Sequence, residues 1–487
     1  MFEKYLKRFC GCCKKSLIAF KNLAKKNESG LKILRKIAFI MKEQSSFNNK
    51  YIIGISFISA LGGYLFGFDF AVISGALPFL KTTFQLTPLG EGFLTGSLAL
   101  GCIIGCLVAG NIADRFGRRP GLLISALIFA LSALGMAFAP SLSIFIAMRF
   151  CAGIGVGMAS LLSPMYIAEI SPAQMRGRNV AINQLTIVIG ILVTNLVNYF
   201  LADKGDDAWR WMFGLGVVPS ILFLAGVLWL PESPRWLMKA GKIAEAEKIL
   251  LKIGNTTFAE QTKNDISQSL SGSNNASFKD VFGKAVRPAV IVGIALAVFQ
   301  QFCGINVVFN YTSTIFESAG ANLNRQLLET VSIGVVNLVF TIIAMWQVDK
   351  LGRRPLMLAG SLGLCIMYLL LAFVLQNHFS TTLLSLFVLL AIALYATSLA
   401  PVTWVLISEI FPNKIRGQAS SVAVVSLWCA YFLLVFTFPI LAKTIGTYGP
   451  FYLYAFICLT GFVFIKSKVR ETKGQTLEQL EQSFSGH

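Results

Sequence analysis

The sequence is poor in charge and nearly empty of histidine. Asp, Glu, Lys and Arg make up only 13% of its 487 residues, and the two histidines are His378 and His487. It has no nucleotide-binding loop and no metal cluster. These shortages argue against an enzyme, and no metal or cofactor is expected. Cysteine is present ten times, but never in a loop read below as external, so no disulfide framework is expected. Three of the ten form "CGCC" at Cys10, Cys12 and Cys13. They read as plain cytosolic thiols, with acylation or metal binding as the alternatives. Residues 1–50 lack an apolar core followed by a small-residue cleavage site, so no cleavable signal peptide is expected. Met41 offers an alternative start.

What fills the chain instead is apolar surface: 55% of residues are hydrophobic and mean hydropathy is +0.69. Twelve apolar runs stand at roughly 52–80, 91–113, 120–139, 142–168, 179–201, 210–230, 288–316, 328–348, 355–376, 382–409, 418–441 and 449–466. Runs near or above ~20 residues, without period-2 alternation, predict helices that cross a bilayer. In lipid a helix pairs its own backbone groups, which an open strand cannot do.

The net charge of +19 is a topology signal rather than a nucleic-acid footprint. Residues 1–50 carry thirteen Lys or Arg against three Glu, a basic tail suited to anionic lipid. Further along, cations collect in alternate loops: at 115–119, 176–178, 235–287, 350–354, 414–416 and 466–473. The intervening loops hold only Lys81, Lys204, Arg210, Arg325 and Lys443. By the positive-inside rule both termini are expected in the cytoplasm.

The chain also repeats itself. "GNIADRFGRRP" at 110–120 returns as "MWQVDKLGRRP" at 345–355, and "EISPAQMRG" at 169–177 returns as "EIFPNKIRG" at 409–417. "PESPRW" at 231–236 has a weaker echo in "RETKG" at 470–474. The offsets are 235 from Asp114 to Asp349, 240 from Glu169 to Glu409 and 239 from Glu232 to Glu471. Three motifs in one order at nearly one spacing predict two homologous halves of six spans. An even number of spans makes the copies parallel, related by an axis along the membrane normal. The expected segments are a basic tail (1–50), a first half (51–230), a cytoplasmic helical linker (231–287), a second half (288–467) and a C-terminal tail (468–487). Within the linker, Ser233 and Pro234 signal a helix start, while the stretch from Gly254 loses periodicity and reads as flexible.

At these motifs the chain resembles the major facilitator superfamily. "PESPRWL", "QQFCGIN", "AWRWMFG" and "ETKG" narrow the resemblance to its sugar porter branch, over about residues 52–475. The resemblance implies an all-α membrane protein of twelve transmembrane helices in two six-helix halves. It also implies a carrier working by alternating access.

Of the charged residues in the spans, only Asp69 and Arg149 lie well away from the ends. A charge at the bilayer centre costs at least ~2.5–3.5 kcal/mol, so each must pair, face water or neutralise. Both sit in the outer half of their spans, at similar depth given ~1.5 Å of rise per residue, so they can meet. One reading is a proton site: Asp69 loses its proton when Arg149 approaches and regains it when Arg149 withdraws. The other is a static ion pair. The resemblance favours the first, since proton-using sugar porters carry an acid and an arginine at these places.

A sugar presents hydroxyls and an apolar ring face, which call for amides and aromatic rings. Gln184, Gln300, Gln301, Asn306 and Asn337 supply amides within spans, Trp404 supplies a ring, and Phe66 stands beside the acid. The resemblance implies sugar contacts at these positions and at Asn310; interhelical hydrogen bonding is the alternative. Gln300, Gln301 and Asn306 cannot share one face of an unbroken helix, so Gly304 is expected to break it. Asn310 stands where family members often have Tyr. Leu427 stands where many have an amide, Ala400 where Gly is common, and Arg470 where Pro is common.

For the repeated inner-loop charges the resemblance implies a cytoplasmic gate. It would comprise Asp114, Arg118, Glu169, Arg176 and Glu232, with counterparts Asp349, Arg353, Glu409, Arg416 and Glu471. Glu169 is expected beside Arg176 and Glu409 beside Arg416; topology alone would explain the cations but not the glutamates. The expected function is proton-coupled import of a monosaccharide, with sugar, protons and the lipid bilayer as partners and a functional monomer as the unit. No nucleic-acid partner is expected. A uniporter, a proton-linked inositol carrier and a non-transporting sensor remain as alternatives.

Overall fold

A computed structural model of the chain describes residues 47–271, 281, 283, 286–411, 415–469 and 471. Outside that description lie the "CGCC" cysteines, Arg470, the tail from 472, and the side chains at 269–271, 348, 349, 408, 409, 416 and 417. No strand occurs among the described residues.

Among the described residues, twelve helical stretches are long and apolar enough to cross a membrane, each overlapping one of the apolar runs. The first five spans are α1 (Asn49–Phe84), α2 (Pro88–Phe116), α3 (Arg118–Ala137), α4 (Leu142–Ile170) and α5 (Arg176–Leu201). The sixth is split into α6 (Ala208–Gly214) and α7 (Val217–Trp229). Three short helices follow: α8 (Pro234–Lys239), α9 (Ile243–Ile253) and α10 (Thr256–Ser271). The seventh span is α11 (Arg287–Phe302) with α12 (Ile305–Asn310), continued by α13 (Thr312–Ser318). Then come α14 (Leu323–Leu351) and α15 (Arg353–Gln376), a tenth span made of α16 (Thr381–Thr397) and α17 (Leu399–Ile410), and finally α18 (Arg416–Ile445) and α19 (Gly449–Lys468).

Local chemistry sets these ends. Thr87 caps α2, its hydroxyl accepting the Gly90 N–H at 3.1 Å, and Pro88 opens the first turn. Asn322 caps α14 through the Arg325 N–H at 2.9 Å. The break at Gly304 is present: this residue sits at φ +87°, between α11 and α12. A Cβ there would lie 2.5 Å from the Tyr454 ring, so only glycine fits both the backbone and the space. The break near Leu215 in the sixth span lies between Gly214 and Gly216, and the one at Ser398 in the tenth lies three residues before Pro401.

The chain divides into two compact units. The larger holds residues 53–236 and 273–487, hence the membrane helices. The smaller holds 237–272 with the residues up to 52. Within the smaller unit, Phe47 packs edge-on against Phe258 at 5.2 Å and Lys263 pairs with Glu247 at 3.2 Å. Thr256–Ser271 is a helix, not the flexible segment its weak periodicity suggested. Asn255 supplies the overlooked start signal, its side-chain oxygen accepting the Phe258 N–H at 2.9 Å.

Candidate functional site

Asp69 and Arg149 are both buried, with 3% and 0% of their surface exposed. The guanidinium reaches Asp69 through the backbone: Nη2 donates to the Asp69 carbonyl at 3.5 Å. Its Nε and Nη1 are buried without a hydrogen-bond partner. Arg149 lies over the Phe213 ring at 5.7 Å, and Phe213 packs edge-on against Phe145 at 5.0 Å. The arginine therefore rests on an aromatic shelf with donors to spare, next to an acid it does not chelate. On its other side Asp69 lines a small cavity with Leu65 and Phe68 of α1, Phe129 and Met136 of α3, and Ser220 of α7. About 10 Å³ there is open to the centre of a water molecule, room for roughly one water.

The broken seventh span gathers three of the amides. The Gln300 Nε2 faces the Ala400 carbonyl at 3.5 Å, and Gln301 Nε2 donates to Gln300 Oε1 at 3.3 Å. Asn306 Nδ2 donates to Gln301 Oε1. Asn310 then links the set onward, donating to the Asn306 carbonyl at 2.6 Å and to the Tyr431 hydroxyl at 2.9 Å. Gln184 is half-buried and Asn337 is buried, each without a hydrogen bond to another described residue. Trp404 is 45% exposed and outside the ring cluster. That cluster is built instead on Trp428, which sequence reasoning passed over. Trp428 meets Phe66 at 5.8 Å and Tyr431 at 5.7 Å. Phe70 completes it against Phe66, Tyr431 and Phe309. The signal available was the short spacing from Leu427 to Tyr431 on the helix where a lost amide had been noted. Aromatic rings on an apolar span otherwise look like lipid-facing residues.

The repeated charge motifs form two matching constructions. Glu232 lies at the N-terminus of α3, its carboxylate accepting the N–H groups of Arg118 at 2.9 Å and Arg119 at 3.1 Å. Glu471 does the same for α15, accepting from Arg353 and Arg354 at 3.0 Å each. A carboxylate at a helix N-terminus meets both unpaired donors and the positive end of the dipole. Gly117 precedes α3 at φ +105° and Gly352 precedes α15 at φ +92°. Arg118 grips Glu169 with two bonds of 2.9 Å, donates to the Ala113 carbonyl at 2.8 Å, and stands 3.6 Å from Asp114. Arg176 reaches the Ala168 carbonyl at 3.0 Å, so the partner of Glu169 is Arg118 instead of the expected Arg176. These bonds join helices within one half. The side chains of Asp349, Glu409 and Arg416 are outside the description.

The halves meet at the opposite membrane face. Lys81, expected only to mark topology, donates to Thr314 Oγ1 at 2.9 Å and lies 3.3 Å from Glu91 and 3.7 Å from Glu317. Ser313 donates to the Ser74 carbonyl at 2.6 Å, and Asn195 to the Thr330 carbonyl at 2.8 Å.

Residues 55–484 match the family model described as "Sugar (and other) transporter". The D-xylose-proton symporter of Escherichia coli (strain K12) is 41% identical over 479 residues, which span 90% of this chain and 96% of that protein. The arabinose-proton symporter of Bacillus subtilis (strain 168) is 37% identical, over 88% of this chain and 94% of that protein. Among solved structures, a partially occluded inward open conformation of the xylose transporter XylE from E. coli superposes with a TM-score of 0.79 at 38% identity. That match covers 88% of this chain and all of the other.

Proposed function

The chain belongs to the sugar transporter family of the major facilitator superfamily and is a transporter, not an enzyme, and from that premise we propose proton-coupled symport of a pentose or hexose. One observation carries the proposal: a carboxylate, Asp69, buried well away from the ends of its span beside a buried arginine that has donors unspent. A carboxylate left ionised there is costly, and a proton removes the cost. Arg149 then sets when the proton stays. Close to the carboxylate it displaces the proton; held at the backbone carbonyl, as here, it leaves the acid free to keep one.

The sugar would lie between the amides of α11 and α12 and the rings of Phe66 and Trp428, with Gln184, Asn337 and Trp404 reaching it from neighbouring spans. The halves, residues 51–230 and 288–467, would rock about that site. Asp114, Arg118, Glu169, Arg176 and Glu232 would hold the cytoplasmic ends of the first half in shape. Asp349, Arg353, Glu409, Arg416 and Glu471 would serve the second. The orientation is both termini in the cytoplasm, in the cytoplasmic membrane, and the working unit is a monomer without nucleic-acid partners. The names of the xylose and arabinose relatives support the proton and the sugar class.

The test is uptake of a labelled sugar panel into proteoliposomes, with and without an inward proton gradient. The wild type should accumulate one or more pentoses or hexoses only with the gradient. Asp69→Asn should equilibrate the same sugar without accumulating it. Undiminished accumulation by that variant would leave a uniporter with a structural acid.

A further inference from the structure

Arg149 holds two buried donors without partners, and the Asp69 carbonyl accounts for only one of its N–H groups. A guanidinium in that position needs a second acceptor in at least one state of the cycle. Groups near enough to act on its charge include Asp69 from α1, Tyr431 from α18, Cys102 from α2, and Tyr311 from between α12 and α13. A thiol is a weak acceptor. The Tyr311 hydroxyl donates to the Val435 carbonyl at 2.7 Å on a helix of its own half and keeps its lone pairs, but that bond ties it to a backbone and not to the amide set. Tyr431 is different. It is 2% exposed, its ring touches Phe70 beside Asp69, and its hydroxyl is held by Asn310 of the amide set.

We propose that Tyr431 is the positioning residue that couples the two sites: its hydroxyl oxygen is the second seat of Arg149, and Asn310 competes for it. This rests on the proton-symport reading above. When Asp69 is ionised, Arg149 bonds the carboxylate within the first half. When Asp69 takes a proton, Arg149 turns to Tyr431 and ties the first half to the second. Asn310 holds that oxygen while its own side chain has no better partner. A sugar hydroxyl that takes up the Asn310 amide releases Tyr431, so sugar and proton together favour the bond across the halves. The bond adds to the contacts that Lys81, Ser313 and Asn195 make between the halves, and it is strongest with both ligands bound.

The experiment measures the inward/outward distribution in proteoliposomes by reaction of an externally added maleimide, at pH 5.5 and 8, alongside sugar accumulation and sugar counterflow. Tyr431→Phe keeps the ring and removes the oxygen. It should lose the pH-dependent shift of the distribution by roughly tenfold, the lower end for a hydrogen bond to a charged group, with gradient-driven accumulation lost and counterflow kept. Asn310→Ala, which frees the oxygen, should move the distribution the opposite way, toward outer closure. Tyr311→Phe should keep the pH shift. Opposite signs from the two variants are not what general damage produces, and the Asn310 variant still decides the matter if Tyr431→Phe does not fold. Equal shifts in Tyr311→Phe and Tyr431→Phe overturn the proposal, as does a pH shift that survives in Tyr431→Phe. An Asp69→Asn protein that still accumulates sugar would instead defeat the underlying symport reading.

Discussion

Removing the ammonium of Lys81 should unlatch the face where the halves meet. On the proposed orientation this is the outer face. Lys81→Met keeps the stem and deletes a donor that bonds Thr314 at 2.9 Å and faces Glu91 at 3.3 Å. A hydrogen bond to a charged group contributes ~1.5–3 kcal/mol net. The Lys81 side chain is 24% exposed, so solvent takes a share, leaving about 1–2 kcal/mol. That corresponds to a roughly 5- to 30-fold shift toward the outward-open state. Glu317 lies 3.7 Å from Lys81 and is 57% exposed, so Glu317→Gln should shift the balance by less than about twofold. The assay is the rate of external maleimide reaction with a cysteine introduced at Ser74, a buried position where α1 meets α13, in a background lacking the native cysteines. If Lys81→Met and Glu317→Gln label at the same rate, the latch reasoning is wrong.

Three further outcomes are expected. Gly117→Ala should cost ~1–3 kcal/mol from its backbone alone, since positive φ with extended ψ is essentially reserved to glycine; the added methyl, 2.3 Å from Glu232 Oε2, also disturbs the α3 cap, so the thermal midpoint in detergent should fall. Arg118→Lys should not restore what Arg118→Ala loses, because one ammonium cannot satisfy both oxygens of the nearly buried Glu169; a loss of ~2–3 kcal/mol in chemical unfolding checks this. Gly304→Ala should weaken sugar binding by about tenfold or more in titration calorimetry, since the amides on either side of the break would no longer converge.

Much of the fold was legible because lipid enforces simple rules. The twelve spans follow from hydropathy, and the Gly304 break follows from three amides at spacings no straight helix brings together. The charge motifs were legible as a repeat but not as a construction. Their sequence says that Glu169 and Glu232 recur, not that Arg118 is the partner of the first or that helix N–H groups are the partners of the second. Trp428, Tyr431 and Phe70 were invisible for a plainer reason: a ring on an apolar span reads the same whether it faces lipid or a sugar. Helix α5 hides a similar set, since Asn183, Asn195 and Asn198 are all buried while only Gln184 drew notice. Two of them are spent on neighbouring backbones, Asn195 on the Thr330 carbonyl and Asn198 on the Val72 carbonyl, and sequence does not reveal which amide a backbone will claim.

The two glutamate caps have a consequence for how the chain is wired. Glu232 follows the sixth span and fastens the turn between the second and third; Glu471 follows the twelfth and fastens the turn between the eighth and ninth. Each bundle is thereby buckled end to middle by its own last residues, like a belt closed on itself. The connecting peptide joins the first closure at its start, where the Ser233 N–H meets Glu232 at 2.7 Å and the Trp236 indole N–H meets the Asp114 carbonyl at 3.1 Å. A gene cut beyond Trp236 in that connecting stretch should therefore yield two fragments that each keep their internal order and reassemble in the membrane as a working pair.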